Sequence, residues 1–401
     1  MSRETSKPTG ANSTARLSFA VLAVCVVVAG IWLSIARARS GSGHPAGAGQ
    51  HAATWSITGS PVTMDRDIGA VEVGSHVLVT GDGGATFTTT TPPPLGTADS
   101  LPYAFYLTTT TGWVGTTQSN ATTSPSSVVT IWRTVDAGRS WQNVHLPTFS
   151  VPSAHVAGFY FLDARRGWVS VSLPFGNQHN PGAFFKTGDG GATWTTLSLP
   201  YVGQVSFLNA TTGWLIGSRV PTTGINELSI THDGGQTWQP VNLPVPAPVG
   251  YQPLSVSIGA PMLFTTDDGA IPVGYGTTVQ MDLTRDGGAT WTAGPSFILP
   301  SGADTTRLAT AYAGRAGYVS AAGKLFRTQD AGQTWTQVQS ANFGGASILR
   351  FVSPTTGWAY AFGGTCVGAK GSQTCVRTWS MQRTTDAGAT WKTTFTQTLP
   401  Y

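Results

Sequence analysis

The feature that most limits what this chain can fold into is a turn that recurs seven times. It reads TGDGGATF from Thr80, TVDAGRSW from Thr134, TGDGGATW from Thr187, THDGGQTW from Thr231, TRDGGATW from Thr284, TQDAGQTW from Thr328 and TTDAGATW from Thr384. Its aspartates, Asp82, Asp136, Asp189, Asp233, Asp286, Asp330 and Asp386, are spaced by 54, 53, 44, 53, 44 and 56 residues. Self-similarity at such a period marks an array of supersecondary units, and each interval has room for about four short strands. A second element precedes the turn in most units: TTGWVG at Trp113, RRGWVS at Trp168, TTGWLI at Trp214, AGYVS at Tyr318 and TTGWAY at Trp358, with weaker versions in DDGAIPV and IGAVEV. One unit read through gives QVSFLN, the turn ATTG, WLIGS, a loop, ELSIT, the turn HDGG and QTWQPVNL. That is a four-stranded antiparallel meander.

Composition points the same way. Fifty glycines and 25 prolines in 401 residues, with 10% charged and 10% aromatic side chains, favour short strands and tight turns and exclude disorder and coiled coil. The expected fold class is all-β: a seven-bladed β-propeller of four-stranded antiparallel blades over residues 54–401. The turn residues have a mechanical reading, because an Asp side chain accepts hydrogen bonds from its own turn and Gly tolerates φ > 0. Ten of the 14 tryptophans (Trp113, Trp141, Trp168, Trp194, Trp214, Trp238, Trp291, Trp335, Trp358 and Trp391) belong to the two repeated elements, so their expected place is the apolar layer between blades. The seven repeat aspartates are likewise structural and leave the list of catalytic candidates.

Charge is confined to one end. Of 22 basic and 18 acidic side chains, five and one lie before residue 40, which leaves 17 of each. A neutral body removes the electrostatic case for nucleic acid. Residues 18–36 (SFAVLAVCVVVAGIWLSIA) hold 19 uncharged residues, a helix that nearly spans a ~30 Å hydrocarbon core. A cleaved signal has a shorter apolar region, and the A-x-A candidate here contains Arg37. The segment therefore reads as a transmembrane signal anchor, whether or not it is cut. Residues 1–17 form a small basic head on the cytoplasmic side. Residues 37–53, Gly-rich and polar, form a flexible linker. The propeller is expected outside the cytoplasm, on a single-pass anchor in the cell membrane.

The seven turns resemble the Asp-box, or BNR, repeat of β-propellers. Combined with the GW element, they are most similar to the photosystem II assembly and stability factor family, and more distantly to sortilin-type and sialidase-type propellers. The resemblance covers about residues 54–401. It implies a propeller fold and, from the assembly-factor family, protein binding through basic patches.

Candidate chemistry is sparse. Cys366 and Cys375 lie nine residues apart in GGTCVGAKGSQTCV, and in an oxidising compartment a disulfide is expected. The seven histidines form no H-E-x-x-H or H-x-H pattern, and no metal site or cofactor is expected. A sialidase would need three carboxylate-binding arginines and a Tyr–Glu pair. Arg133, Arg327 and Arg383, with Lys186, instead sit at one repeated position beside the Asp-box Thr. A glycoside hydrolase needs two close carboxylates, and outside the turns these would have to come from Asp99, Glu227 and Asp304. The loops between second and third strands are long in units two, three, four and seven, and variable loops on a rigid scaffold are the usual place for recognition. Binding candidates are Phe175, His179, Tyr201, Arg219, Tyr251 and Lys370, with Arg307 and Arg350 as neighbouring arginines on inner strands along the channel. The expected function is non-catalytic binding of a protein or peptide of the cell envelope, as an assembly or stability factor. The alternative is a carbohydrate-active propeller, either hydrolase or glycan-binding. How the ring closes stays open.

Overall fold

The computed structural model describes residues 69–400 except 74–75, 83–85, 91–102, 109, 121–125, 151–153, 174–181, 219–225, 246–254, 304, 306 and 368–373. The expected anchor and linker lie outside these residues. Among the described residues no helix is long and apolar enough to cross a membrane.

The chain is an all-β propeller of antiparallel sheets. The first sheet has β1 (Gly69–Val73), β2 (His76–Thr80) and β3 (Thr88–Thr89). Blade two has β4 (Tyr103–Tyr106), β5 (Gly112–Asn120), β6 (Ser126–Thr134) and β7 (Gln142–His145), and blade three β8 (His155–Phe161), β9 (Gly167–Ser172), β10 (Gly182–Thr187) and β11 (Thr195–Leu197). Blade four has β12 (Gly203–Phe207), β13 (Gly213–Gly217), β14 (Glu227–Thr231) and β15 (Gln239–Val241). Blade five has β16 (Val256–Ile258), β17 (Met262–Leu263), β18 (Gly269–Tyr275), β19 (Thr278–Thr284) and β20 (Thr292–Ile298). Blade six has β21 (Leu308–Ala313), β22 (Ala316–Ala321), β23 (Lys324–Thr328) and β24 (Thr336–Val338), and blade seven β25 (Ile348–Phe351), β26 (Gly357–Val367), β27 (Thr374–Thr384) and β28 (Lys392–Pro400).

The expectation of seven four-stranded blades needs correction. The described residues form six blades of four strands or more, numbered two to seven after their repeats, and the first repeat supplies a sheet of three short strands in place of the expected seventh four-stranded blade. In blade five the inner strand is split, because Gly259-Ala260-Pro261 separates β16 from β17, both of which pair with β18. A proline lacks the N–H a ladder needs. Cys366 and Cys375 face each other across β26 and β27, Cα atoms 4.0 Å apart, joined by a disulfide.

The core lies in the seams between blades and is built from three rings. The GW aromatic of one blade stacks flat on an inner-strand Phe of the next, and that blade's Asp-box Trp meets the Phe edge-on. Trp113 lies 3.6 Å from Phe161, Trp168 3.6 Å from Phe207 and Tyr318 3.5 Å from Phe351, with interplanar angles of 9°, 6° and 3°. Trp194, Trp238 and Trp391 then meet Phe161, Phe207 and Phe351 at 82°, 69° and 89°. The edge-on contacts suit the ring quadrupole, and the flat stacks bury both ring faces against each other. Two of these seams are also tied by an indole hydrogen bond: Trp113 Nε1 donates to Gly190 O (2.8 Å) and Trp168 Nε1 to Gly234 O (2.9 Å), both in the next blade's turn. Phe87, the Asp-box aromatic of the first repeat, lies 5.7 Å from Phe395 of blade seven.

Trp168 is fully buried, so Trp168→Ala removes a stacked ring and an inter-blade hydrogen bond together. The expected loss is about 3–5 kcal/mol of unfolding free energy, read by chemical denaturation. Loss below about 1 kcal/mol would contradict the seam as the main source of cohesion.

Candidate functional site

Geometry separates two faces. In blade three, Thr187 Oγ1 donates to Asp189 Oδ1 (2.8 Å), and Asp189 accepts from the Thr193 amide (2.9 Å) and the Thr193 hydroxyl (2.6 Å). The Gly191 amide closes the turn on Thr187 Oγ1 (2.8 Å). The same set recurs around Asp286, Asp330 and Asp386. Gly190 and Gly191 have φ of 80° and 96°, and Ala137, Ala331 and Ala387 take the first of these positions in their own turns at 61–63°. Two successive positive φ values explain the DGG preference.

Each turn is pinned to the turn between the first two strands of its own blade. The amides of Ala137, Gly190, Gly234, Gly287, Ala331 and Ala387 donate to the carbonyls of Thr110, Arg165, Thr211, Asp267, Arg315 and Thr355 at 2.7–3.0 Å. The Asp boxes and these turns therefore share one face, and the loops between second and third strands share the other. On that other face β18–β19 and β22–β23 close in two residues.

Most expected recognition residues, Phe175, His179, Arg219, Tyr251 and Lys370, lie outside the described residues, as do Asp99 and Asp304. Tyr201 corrects a loop assignment. It is buried, its hydroxyl 2.9 Å from Ser229 Oγ and donating to Leu215 O (3.3 Å), so it is a core residue of blade four.

The two channel arginines do not form a pair. Arg307 precedes β21, at the end of that strand remote from the Asp-box face, whereas Arg350 sits on β25 opposite Trp358, one residue from the turn end. At ~3.3 Å per residue the two are about 13 Å apart along the axis. Arg350 interacts electrostatically with Tyr312 of blade six and Tyr160 of blade three, which places its guanidinium near the axis. Burial lowers its pKa, and burial pushes the Tyr312 hydroxyl up to about 12. Beside Tyr312, Trp214 and Leu263 is a cleft of about 10 Å³, room for about one water.

The repeated basic position is structural, as its periodicity suggested. Arg133, Lys186 and Arg383 place their cations 6.0, 5.6 and 5.3 Å from the ring centroids of Trp113, Trp168 and Trp358, a cation–π distance. Among the described residues no group of three His, Cys, Asp or Glu could hold a metal ion.

What the sequence reading missed is the unequal charge of the Asp-box face. Blades two and three bring Arg133, Arg139, Arg165, Arg166 and Lys186 there against Asp136, Asp163 and Asp189, and Arg139, Arg165 and Arg166 are exposed. Blade five brings Arg285 against Asp267, Asp268 and Asp286. Arg166 is paired with Asp163 (2.6 Å) and Arg285 with Asp268 (3.0 Å), which leaves Arg139 and Arg165 as exposed guanidiniums in the basic sector. Neutral net charge concealed this, because only the turn register shows which charges share a face.

Comparison with known proteins bears on these repeats. Residues 192–350 match the family described as photosynthesis system II assembly factor YCF48. The chain is similar to that family from the Asp box of blade three to the inner strand of blade seven. No curated protein matches. Among solved structures, YCF48 from Cyanidioschyzon merolae is 16% identical over 74% of this chain and 85% of its own, with a TM-score of 0.44. The GH74 enzyme of Niastella koreensis is 13% identical over 82% and 67%, with a TM-score of 0.35. A Mycobacterium tuberculosis puromycin-hydrolyzing peptidase is 13% identical over 86% and 56%, at 0.46.

The Asp boxes set an acid limit. Hydrogen bonds from the Thr193 hydroxyl and amide hold Asp189 at about 2, and those from Thr290 do the same for Asp286. A carboxylate depressed in the folded state contributes stability that is present above its unfolded value near 4 and is lost as pH falls through about 2. Thermal melting should therefore show no Asp-box loss from pH 7 to 4 and a steep fall below. An Asp189→Asn variant should sit lower at neutral pH and fall less steeply.

Proposed function

We propose that this chain is a non-catalytic binding module, similar in role to YCF48-type assembly factors, that holds a protein partner against the basic sector of its Asp-box face. The observation that carries this reading is the exposed Arg139 and Arg165 beside the Arg133–Trp113 stack, on a surface whose backbone is fixed by one hydrogen-bonded turn per blade. Rigid, planar, permanently charged donors suit bidentate recognition of carboxylates on a protein surface. The negative sector of blade five gives the face a direction, so a partner with an acidic segment docks in one orientation. The Asp-box carboxylates are held by hydrogen bonds within their own turns, which favours a structural role for them over a catalytic one.

Two further parts of the reading are proposals of the same standing. Residues 18–36 would anchor the propeller to the cell membrane with its body outside the cytoplasm. The three-stranded first sheet would sit between blade seven and blade two, with Phe87 on Phe395 as the closing contact.

The test is capture of a partner by the tagged full chain after crosslinking in cells, compared with an Arg139→Glu/Arg165→Glu variant. Both side chains are exposed, so the variant should melt like the parent. The expected result is one co-purifying membrane or envelope protein, reduced at least tenfold in the variant. Equal recovery from both would place the partner elsewhere and overturn this reading.

A further inference from the structure

The seam between blades four and five keeps its GW ring, Trp214, and its Asp-box ring, Trp291, but departs from the three stacked seams in what lies between them. Leu263 stands where Phe161, Phe207 and Phe351 stack elsewhere, the inner strand is split, and the buried indole N–H of Trp214 has no hydrogen-bond partner among the described residues. The water-sized cleft beside Trp214 and Leu263 lies on this seam too. Elsewhere in the same seam the chain places a carboxyl group. Asp282 stands two residues before the Asp-box Thr, a position that Trp132, Phe185 and Phe326 occupy in blades two, three and six and the uncharged Ser229 and Gln382 in blades four and seven, so blade five alone of these puts an ionisable group there. It is fully buried, opposite Ile271, on the face of blade five turned to blade four.

Its partners form a short chain. Gln280 Nε2 donates to Asp282 Oδ1 (2.6 Å) and to Pro244 O (3.0 Å), in the segment leaving blade four, while the Tyr275 hydroxyl donates to Gln280 Oε1 (2.9 Å). Among the described residues Asp282 Oδ2 has no partner. An ionised carboxylate in such a place would leave a buried charge with one hydrogen bond, which is costly, whereas a neutral acid is tolerated. The titratable groups on the packed elements are few: Tyr275 on β18 and Glu227 at the far end of β14, with none on β13, β15 or β20. No cation among them compensates Asp282.

We propose that Asp282 is a proton-operated clasp between blades four and five: its neutral carboxyl keeps the seam dry and Gln280 bound to Pro244 O, and loss of the proton admits water and loosens the two blades. Burial pushes its pKa up to about 7, against a smaller lowering by Gln280, which places the change near neutrality. The sign follows from linkage. The folded state binds this proton more tightly than the unfolded chain, whose Asp titrates near 4. Stability present below about pH 4 is therefore lost as pH rises towards about 7 and changes no further beyond it. The Asp boxes act oppositely and only in acid, so the two effects separate on the pH axis.

The experiment compares the full chain with its Asp282→Asn variant by thermal melting between pH 5 and 9 and by hydrogen exchange at pH 6 and 8.5, corrected for intrinsic rate. For the parent, the melting midpoint should fall by several degrees between pH 5 and 7 and then level. Exchange in β14 and β18 should rise several-fold at pH 8.5 while β26 stays unchanged, and the variant should show neither trend. Parallel pH curves for the two proteins, or exchange that rises equally in blade seven, would overturn the proposal. Should the variant fail to fold, carboxyl carbon NMR of the aspartate-labelled parent decides: one aspartate titrating between pH 6 and 8 supports it, and none overturns it.

Discussion

No sheet in this chain can bury its own aromatic surface. The flat face of a GW ring is covered by the inner-strand Phe of the next blade, and that blade's Asp-box Trp closes the edge of the Phe, so each unit is finished by its neighbour. Apolar burial at roughly 25 cal/mol per Å² then acts between blades, and the Trp–Gly hydrogen bonds fix the distance between them. The conserved geometry of the turn follows from the same need. A Trp at a set height on one blade requires a carbonyl at a set height on the next, and the Asp-centred turn delivers it with two positive-φ residues and no flexible side chain.

The repeat made most of this legible in the sequence. Asp189, Gly190, Gly191 and Trp194 carry turn chemistry in their identities, and Trp168 its place in the seam, because the reasons are local or repeat once per blade. Departures from the repeat were harder to read. Pro261 and Leu263 sit within ordinary-looking apolar text, yet they split one inner strand and empty one stack. Tyr201 lies in a connection between strands, yet it is buried and its hydroxyl reaches Ser229 on the third strand of blade four, a contact no local pattern announces. Asp282 carries no local signal of its burial, because the corresponding position holds rings in blades two, three and six but Ser229 in blade four and Gln382 in blade seven. Arg307 and Arg350 seemed paired because they occupy neighbouring blades, and only strand register separates them along the axis.

The departures are not scattered. Charge of one sign gathers on blades two and three, charge of the other on blade five, and the irregular seam lies between blades four and five. A ring whose units are otherwise interchangeable thereby acquires a front and an orientation. Regular seams give rigidity to the face that carries Arg139 and Arg165, and the seam with weaker packing lies on the acidic side, away from it. Recognition on this account belongs to the turns of the scaffold itself, which hold their shape before any partner arrives and lose little conformational freedom on binding.

That claim concerns a face, and a face can be tested by position. A photocrosslinking side chain placed at the exposed Val135, in the Asp-box turn of blade two, samples one side of the disc, and one placed at the exposed Lys324, beside the β22–β23 hairpin, samples the other. In cells the account predicts a single discrete adduct from position 135 and none from position 324. An adduct from position 324 alone would contradict it and return recognition to the variable loops of the opposite face.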